Sequence, residues 1–245
     1  MSPPPPPSPD AQHNITLIGL GTIGLSFAAL HLKYSNAVVS VHDTRPDLEE
    51  YINSVLPGYM DSSDAALSLA QLRLTGRLKI CSSLEEACQH ATIVQEQGPE
   101  NLTFKRALWP HVEKLVPAST HLWSSTSGIP ASHQVADMQD HTRLLVVHPF
   151  NPPHIMPLIE LVPSPTTQPA EVAFARSYFS AMPSGHQPIV LNKEIPGFVG
   201  NRLAFALLRE ACYLVDQDVI SAPDLDRLVE SSIGPRWAVQ GPFRS

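Results

Sequence analysis

Asn14–Tyr34 reads NITLIGLGTIGLSFAALHLKY, and the reading of this stretch decides the fold class. NITLI is a short apolar run rich in β-branched residues, the composition of a buried strand. TIGLSFAALHLKY then carries helical spacing through to Tyr34. Between the two stand Gly19, Gly21 and Gly24 in G-x-G-x-x-G order. In such a turn the first glycine permits the sharp bend, and the second lets backbone amides approach a pyrophosphate. The third lets the helix pack closely. A glycine motif alone is weak, but here it lies between strand and helix in the first βα unit. Thr22 and Ile23 fall inside the turn and join the glycines as candidate cofactor-binding residues.

The next strand, AVVSVHD, closes on Asp43. A carboxylate at that position accepts the ribose hydroxyls of NAD and repels the 2′-phosphate of NADP. A plain capping role ahead of Arg45 and Pro46 is the alternative, and Arg45 leaves some room for NADP. Farther along, short apolar runs alternate with amphipathic stretches. RLKIC, ATIVQE, THLWSS, RLLVVH, PLIELV and QPIVLN read as strands, and helices are expected over 100–115 and 169–181. This alternation predicts an α/β fold, a Rossmann-type, doubly wound and mainly parallel sheet. After NKEIPGFVGNRL the strand signal stops, and one long helix is expected over 195–216. The predicted domains are a disordered proline-rich tail over 1–13, an NAD-binding domain over 14–193, and the start of an all-helical domain over 194–245.

The bulk numbers exclude several function classes. A net charge of -7 argues against nucleic-acid and anionic-membrane partners. No apolar run is long enough to span a membrane. MSPPPPPSPD lacks the basic and apolar regions of a secretory signal and reads as a polyproline-type tail. Cys81, Cys88 and Cys212 show no metal spacing and cannot all pair, which suits a reduced, cytoplasmic protein.

The stretch VVHPFNPPHIMPLIELV, Val146–Val162, sets a glutamate among apolar residues. As a strand it has Met156, Leu158, Glu160 and Val162 on one face and Ile159 and Leu161 on the other, so both faces look buried. A buried carboxylate needs a partner. His148 and Glu160 are too close in sequence for a crossover helix, so their strands should form an antiparallel hairpin that brings them together. His148 would stand at the C-terminal strand edge, where open α/β sheets bind ligands. A histidine there is a candidate general base, with the carboxylate fixing its tautomer.

IGLGTIG, VQEQGPENLTFKR, SSTSGIP, HPFNPPHIMPLIELV and IPGFVGNRL together resemble the 3-hydroxyacyl-CoA dehydrogenase family, in the family's order. PENL and GPRWA are closer to its lambda-crystallin, L-gulonate and carnitine dehydrogenase branch. The resemblance implies NAD as cofactor and a small-molecule substrate, a 3-hydroxyacyl-CoA or a small 3-hydroxy acid. His148 would be the general base and Glu160 its partner, with Ser127 and Asn201 holding the substrate oxygen. Asn151 would line the site, Glu96 would lie near the nicotinamide ribose, and Asn101 stands where some members have a lysine. Bland readings stay open: Ser127 as a turn residue, Asn201 as a cap, Glu96 as a strand-end acid.

For the substrate, Arg73, Arg77 and Lys79, set against Asp61 and Asp64, are candidates for the nucleotide end of coenzyme A, with a charged surface face as the alternative. Arg236 and Trp237 are candidates for a substrate carboxylate and tail, with plain packing roles as the alternative. Fuller family members continue beyond GPF, so the helical domain is expected to be incomplete and the family's homodimer doubtful. A helix such as FALLREACYLV would then lack partners. A non-catalytic NAD-binding remnant or crystallin-like structural protein is the competing functional reading.

Overall fold

The expected alternation of strands and helices is realised as an eight-stranded sheet in the order β3-β2-β1-β4-β5-β6-β7-β8. The structure is a computed structural model and describes residues 12–60 and 65–244. The proline-rich stretch through residue 11 lies outside the described residues, as do Asp61 and Asp64. The strands are β1 Asn14–Ile18, β2 Val38–His42, β3 Leu78–Ile80, β4 Ile93–Glu96, β5 His121–Ser124, β6 Leu144–Pro149, β7 Leu158–Val162 and β8 Gln187–Val190. Neighbours from β3 to β6 pair in parallel, β7 returns antiparallel to β6, and β8 runs parallel with β7. The order reverses at β1 and β4, so their C-terminal edges open the crevice where such sheets take a ligand.

Helices α1 Thr22–Tyr34, α2 Leu48–Met60, α3 Leu69–Leu74 and α4 Leu84–Cys88 connect the first strands. They are followed by α5 Leu102–Leu115, α6 Ala131–Gln134 and α7 Pro169–Ser180. One apolar cluster joins Leu17, Val39, Trp123, Leu145 and Leu161 to α1, α2 and α7. The other joins Val94, Leu122, Val146 and Val162 to Trp109 and Val112 of α5. Alternate residues of each strand therefore face different clusters, which is why the central strands read as continuous apolar runs. From Gly24 to Leu32 every residue of α1 is buried, so this helix is covered on all sides and shows no polar face.

A second compact unit begins at Val199. It holds α8 Gly200–Asp216, α9 Ala222–Ser231 and α10 Ile233–Val239. The long helix expected from residue 195 starts later. Pro196 disrupts the approach, and Gly197 and Phe198 take φ of 75° and 50°, which no right-handed helix accommodates. Within this unit α8 is formed along its whole length, with Leu203, Phe205 and Leu208 exposed.

Candidate active site

At the turn after β1 the glycines have distinct geometric reasons. Gly19 has φ +91°, and a Cβ there would stand 2.9 Å from the Gln97 carbonyl. At Gly24 a Cβ would meet the Gly19 carbonyl oxygen at 2.0 Å, so only glycine lets α1 start this close to the strand. Beside Gly21 there is open space, and Gly21 and Thr22 are exposed. Gly21 is also the N-cap of α1 and offers no side chain to its first amides. Bare amides at the positive end of a buried helix are a ready anion site.

Asp43 follows β2 and binds back onto this turn. Its Oδ2 accepts the Leu20 amide at 2.6 Å and its Oδ1 accepts the Arg45 amide at 2.9 Å. Each oxygen keeps a lone pair for a further donor. Arg45 is already engaged, ion-paired to Asp47 at 2.8 Å with its guanidinium 3.4 Å from the Tyr51 ring centroid. Asp43, not Arg45, is therefore the side chain that faces the glycine turn. Gln97 packs against the glycine turn, and both polar atoms of its amide are buried without a hydrogen-bond partner among the described residues. An open glycine turn, an uncapped helix end, a placed carboxylate and an orphaned amide fit a dinucleotide.

The expected hairpin places His148 directly opposite Glu160 in register. Nδ1 of His148 lies 2.7 Å from Oε2 of Glu160, and the two side chains are 6% and 4% exposed. The carboxylate accepts a hydrogen bond from Nδ1–H of the neutral ring, which leaves the lone pair on Nε2, turned away from it, to act as a base. Phe150 and Phe198 stand 5.3 Å and 5.4 Å from the imidazole, ring centroid to ring centroid, and limit its rotation. Met156, expected on the Glu160 face, lies outside β7 and is exposed, because the strand begins only at Leu158.

Ser127 is exposed in the loop after β5, whose Ser124 pairs with Val146 of β6, so it stands at the same strand edge as His148. Asn151 is exposed in the loop that leaves β6. Asn201 is in the first turn of α8, in the second unit. Glu96 is 0% exposed and accepts from Lys105 Nζ at 2.7 and 2.8 Å, Ser124 Oγ at 2.9 Å and the Gly98 amide at 2.7 Å. Its carboxylate is sealed inside the protein, so the expectation of a ribose contact is not met in this arrangement. Asn101, placed among the cofactor-binding candidates, is the N-cap of α5, its Oδ1 accepting the Phe104 amide at 3.0 Å.

Two residues of the same edge escaped the sequence reading. Lys105 is buried on α5 in line with Trp109 and Val112. A lysine on the apolar stripe of an amphipathic helix is a legible sign of a buried partner. Glu100 accepts from the Ser127 loop, and nothing in its local sequence announces that. Two of the three proposed coenzyme A cations hold protein partners, and the third, Lys79, is exposed on β3. Arg73 pairs with Glu49 at 2.6 Å, and Arg77 donates to the Leu32 and Ser35 carbonyls at 2.9 and 2.6 Å.

The NAD-binding-domain model of the 3-hydroxyacyl-CoA dehydrogenases matches residues 14–195, and their C-terminal-domain model matches residues 197–244. The chain belongs to the 3-hydroxyacyl-CoA dehydrogenase family. A 3-hydroxyacyl-CoA dehydrogenase of Gibberella moniliformis is 36% identical over 94% of this chain and 70% of its own length. An L-carnitine dehydrogenase of Streptomyces griseus is 35% identical over 97% and 70%. The lambda-crystallin homolog of Mus musculus is 33% identical over 96% and 74%. Among solved structures, an NAD-dependent dehydrogenase of 5-formyl-3-hydroxy-2-methylpyridine 4-carboxylic acid superposes with a TM-score of 0.83 at 33% identity, over 95% of this chain and 74% of the other. The protein is thus an NAD-dependent dehydrogenase of this family, in the branch its sequence resembles. Among the described residues of this dehydrogenase, no helix is long and apolar enough to cross a membrane.

Proposed function

We propose that this dehydrogenase oxidises the 3-hydroxyl of a small hydroxy acid, with His148 as general base and Glu160 as its partner. The observation that carries the reading is the buried 2.7 Å contact between them at the C-terminal edge of β6, on the sheet edge that carries the glycine turn. The bound NAD supplies the hydride acceptor. Nε2 of His148 takes the hydroxyl proton while Glu160 offsets the charge that forms on the ring. Ser127 donates to the substrate oxygen, and Asn151 lines the loop that leaves β6. Holding the base and the hydroxyl in one geometry is the larger part of what the chain contributes.

A small acid is favoured over a coenzyme A thioester because Arg73 and Arg77 already hold protein partners. The phosphates of coenzyme A need free cations to bind. Cys81, Cys88 and Cys212 are free thiols, and burial pushes Cys88 up to about 12, which keeps it an inert thiol. NADH formation against gulonate, carnitine and 3-hydroxybutyryl-CoA tests the reading. One of the small acids should give the highest kcat/KM. A clear preference for the thioester would overturn the substrate class.

A further inference from the structure

The connection between β6 and β7, residues 150–157, joins the strand of His148 to the strand of Glu160. Within it the Pro152 carbonyl accepts the Ile155 and Met156 amides, both at 2.9 Å, so the loop is closed on itself. That turn does not fix the loop to the rest of the fold. Two histidines do, one from each side.

His186 stands just before β8, is 6% exposed, and is held neutral because burial lowers its pKa. Its Nε2 lies 2.9 Å from the Pro153 carbonyl oxygen, which can only accept, so Nε2 carries the proton. Nδ1 is left to accept the Ser184 hydroxyl at 2.7 Å. On the other side His154 reaches α1. Its amide donates to Ser26 Oγ at 2.9 Å, and Nδ1 of its ring lies 2.7 Å from the same oxygen. The ring also tilts against Tyr59 of α2, with centroids 5.1 Å apart.

Ser26 is 0% exposed, in the second turn of the helix whose open N-terminus faces the dinucleotide. A hydroxyl buried in the run LSFAAL needs a partner, and that partner lies 128 residues away in the chain. The loop it fastens begins at Phe150, whose ring stands 5.3 Å from the His148 imidazole. Displacing the loop therefore displaces a wall against which the base rests.

We propose that His154 is a positioning residue, fixing the loop between β6 and β7 on α1 through Ser26, so that Phe150 holds the His148 imidazole in line with the reacting hydroxyl. This rests on the reading of His148 as the base. His154 acts through the loop and not on the reacting atoms. Small misplacements of a catalytic group cost rate steeply, so its loss should appear in kcat.

The test measures NADH formation at saturating NAD by His154→Leu, His154→Asn, Ser26→Ala and the Ser26→Ala/His154→Leu pair in the full chain, with His148→Gln as reference. The substrate is whichever of gulonate, carnitine and 3-hydroxybutyryl-CoA wild type oxidises fastest. Rates are taken per NAD-binding site counted by calorimetry, so unfolded protein does not enter them. Leucine keeps bulk against Tyr59 but bonds nothing, and kcat should fall by about tenfold. Methionine serves in its place where leucine does not fold. Asparagine puts an amide atom near the place of Nδ1 and should return kcat to within about threefold of wild type. The pair should be no more than about twofold worse than Ser26→Ala, because the two residues act through one contact. A wild-type kcat in His154→Leu, an asparagine no better than leucine, or losses that multiply in the pair would overturn the proposal. A wild-type rate in His148→Gln would remove the base and the proposal with it. An impaired His148→Gln beside an unimpaired His154→Leu defeats the proposal alone.

Discussion

Lys105→Met should destabilise the first unit far more than a surface lysine would. The ammonium lies 2.7 and 2.8 Å from the two oxygens of Glu96, and the side chains are 1% and 0% exposed. Removing it leaves a buried carboxylate with only the Ser124 hydroxyl and the Gly98 amide. Breaking one side of a buried pair costs about 3–5 kcal/mol. Two remaining charge-assisted hydrogen bonds offset part of that, which puts the expectation near the lower end, about 3 kcal/mol. For a unit of this size that corresponds to a fall of roughly 6–12 °C in Tm. Methionine matches the lysine stem, so packing against Trp109 and Val112 is little changed and the loss reports the charge. Reversible urea unfolding followed by circular dichroism measures it. The Glu96→Gln/Lys105→Met pair should be more stable than Lys105→Met by about 1–2 kcal/mol, because the uncompensated charge is gone. A Lys105→Met protein within about 1 kcal/mol of wild type would refute the claim that this pair is sealed from water.

Two further predictions follow from the same geometry. Burial lowers His31 to about 4 from an ordinary 6.5, while its ring bonds Gln95 and Tyr178 at 3.0 and 2.9 Å. With the folded value depressed, the unfolded chain takes up the proton first, so stability is whole above 6.5 and is lost as pH falls toward 4. His31 alone contributes a loss on the order of 2 kcal/mol between pH 7 and pH 5. Burial lowers His13 and His186 too, which adds to it with the same sign. A urea midpoint that does not move over that interval contradicts this. Gly24→Ala should abolish measurable NAD binding, since its Cβ would stand 2.0 Å from the Gly19 carbonyl oxygen and force the pyrophosphate turn apart. Calorimetry showing wild-type affinity would show that the turn yields instead.

The sheet was legible because strand residues facing two clusters must be apolar on both sides, so each central strand announces itself as an apolar run. The His148 and Glu160 pair was legible for a related reason. An anion that interrupts such a run requires a partner, and a connection too short for a crossover leaves only the facing strand. What escaped the sequence depends on contacts with no local signature. Glu100 sits ahead of a helix, where an acid is unremarkable, and its contacts appear only once the loop after β5 folds over it. Glu96 looked like a cofactor ligand until Lys105, whose place on the apolar stripe of α5 went unread, proved to fill its oxygens. Arg73 and Arg77 looked available because an arginine's partner across the fold is invisible in the chain. The start of α8 was misplaced because helical spacing persists through Gly197 and Phe198 although their positive φ cannot be helical.

The central claim is that His148, oriented by Glu160, takes the proton of the hydroxyl being oxidised. NADH formation by His148→Gln under saturating NAD, with the acid that wild type oxidises best, tests it most directly. The account predicts a rate lowered by about 10²–10⁴-fold, with NAD affinity unchanged in calorimetry because the imidazole acts on substrate and not on cofactor. A His148→Gln protein that forms NADH at a rate close to wild type would contradict it.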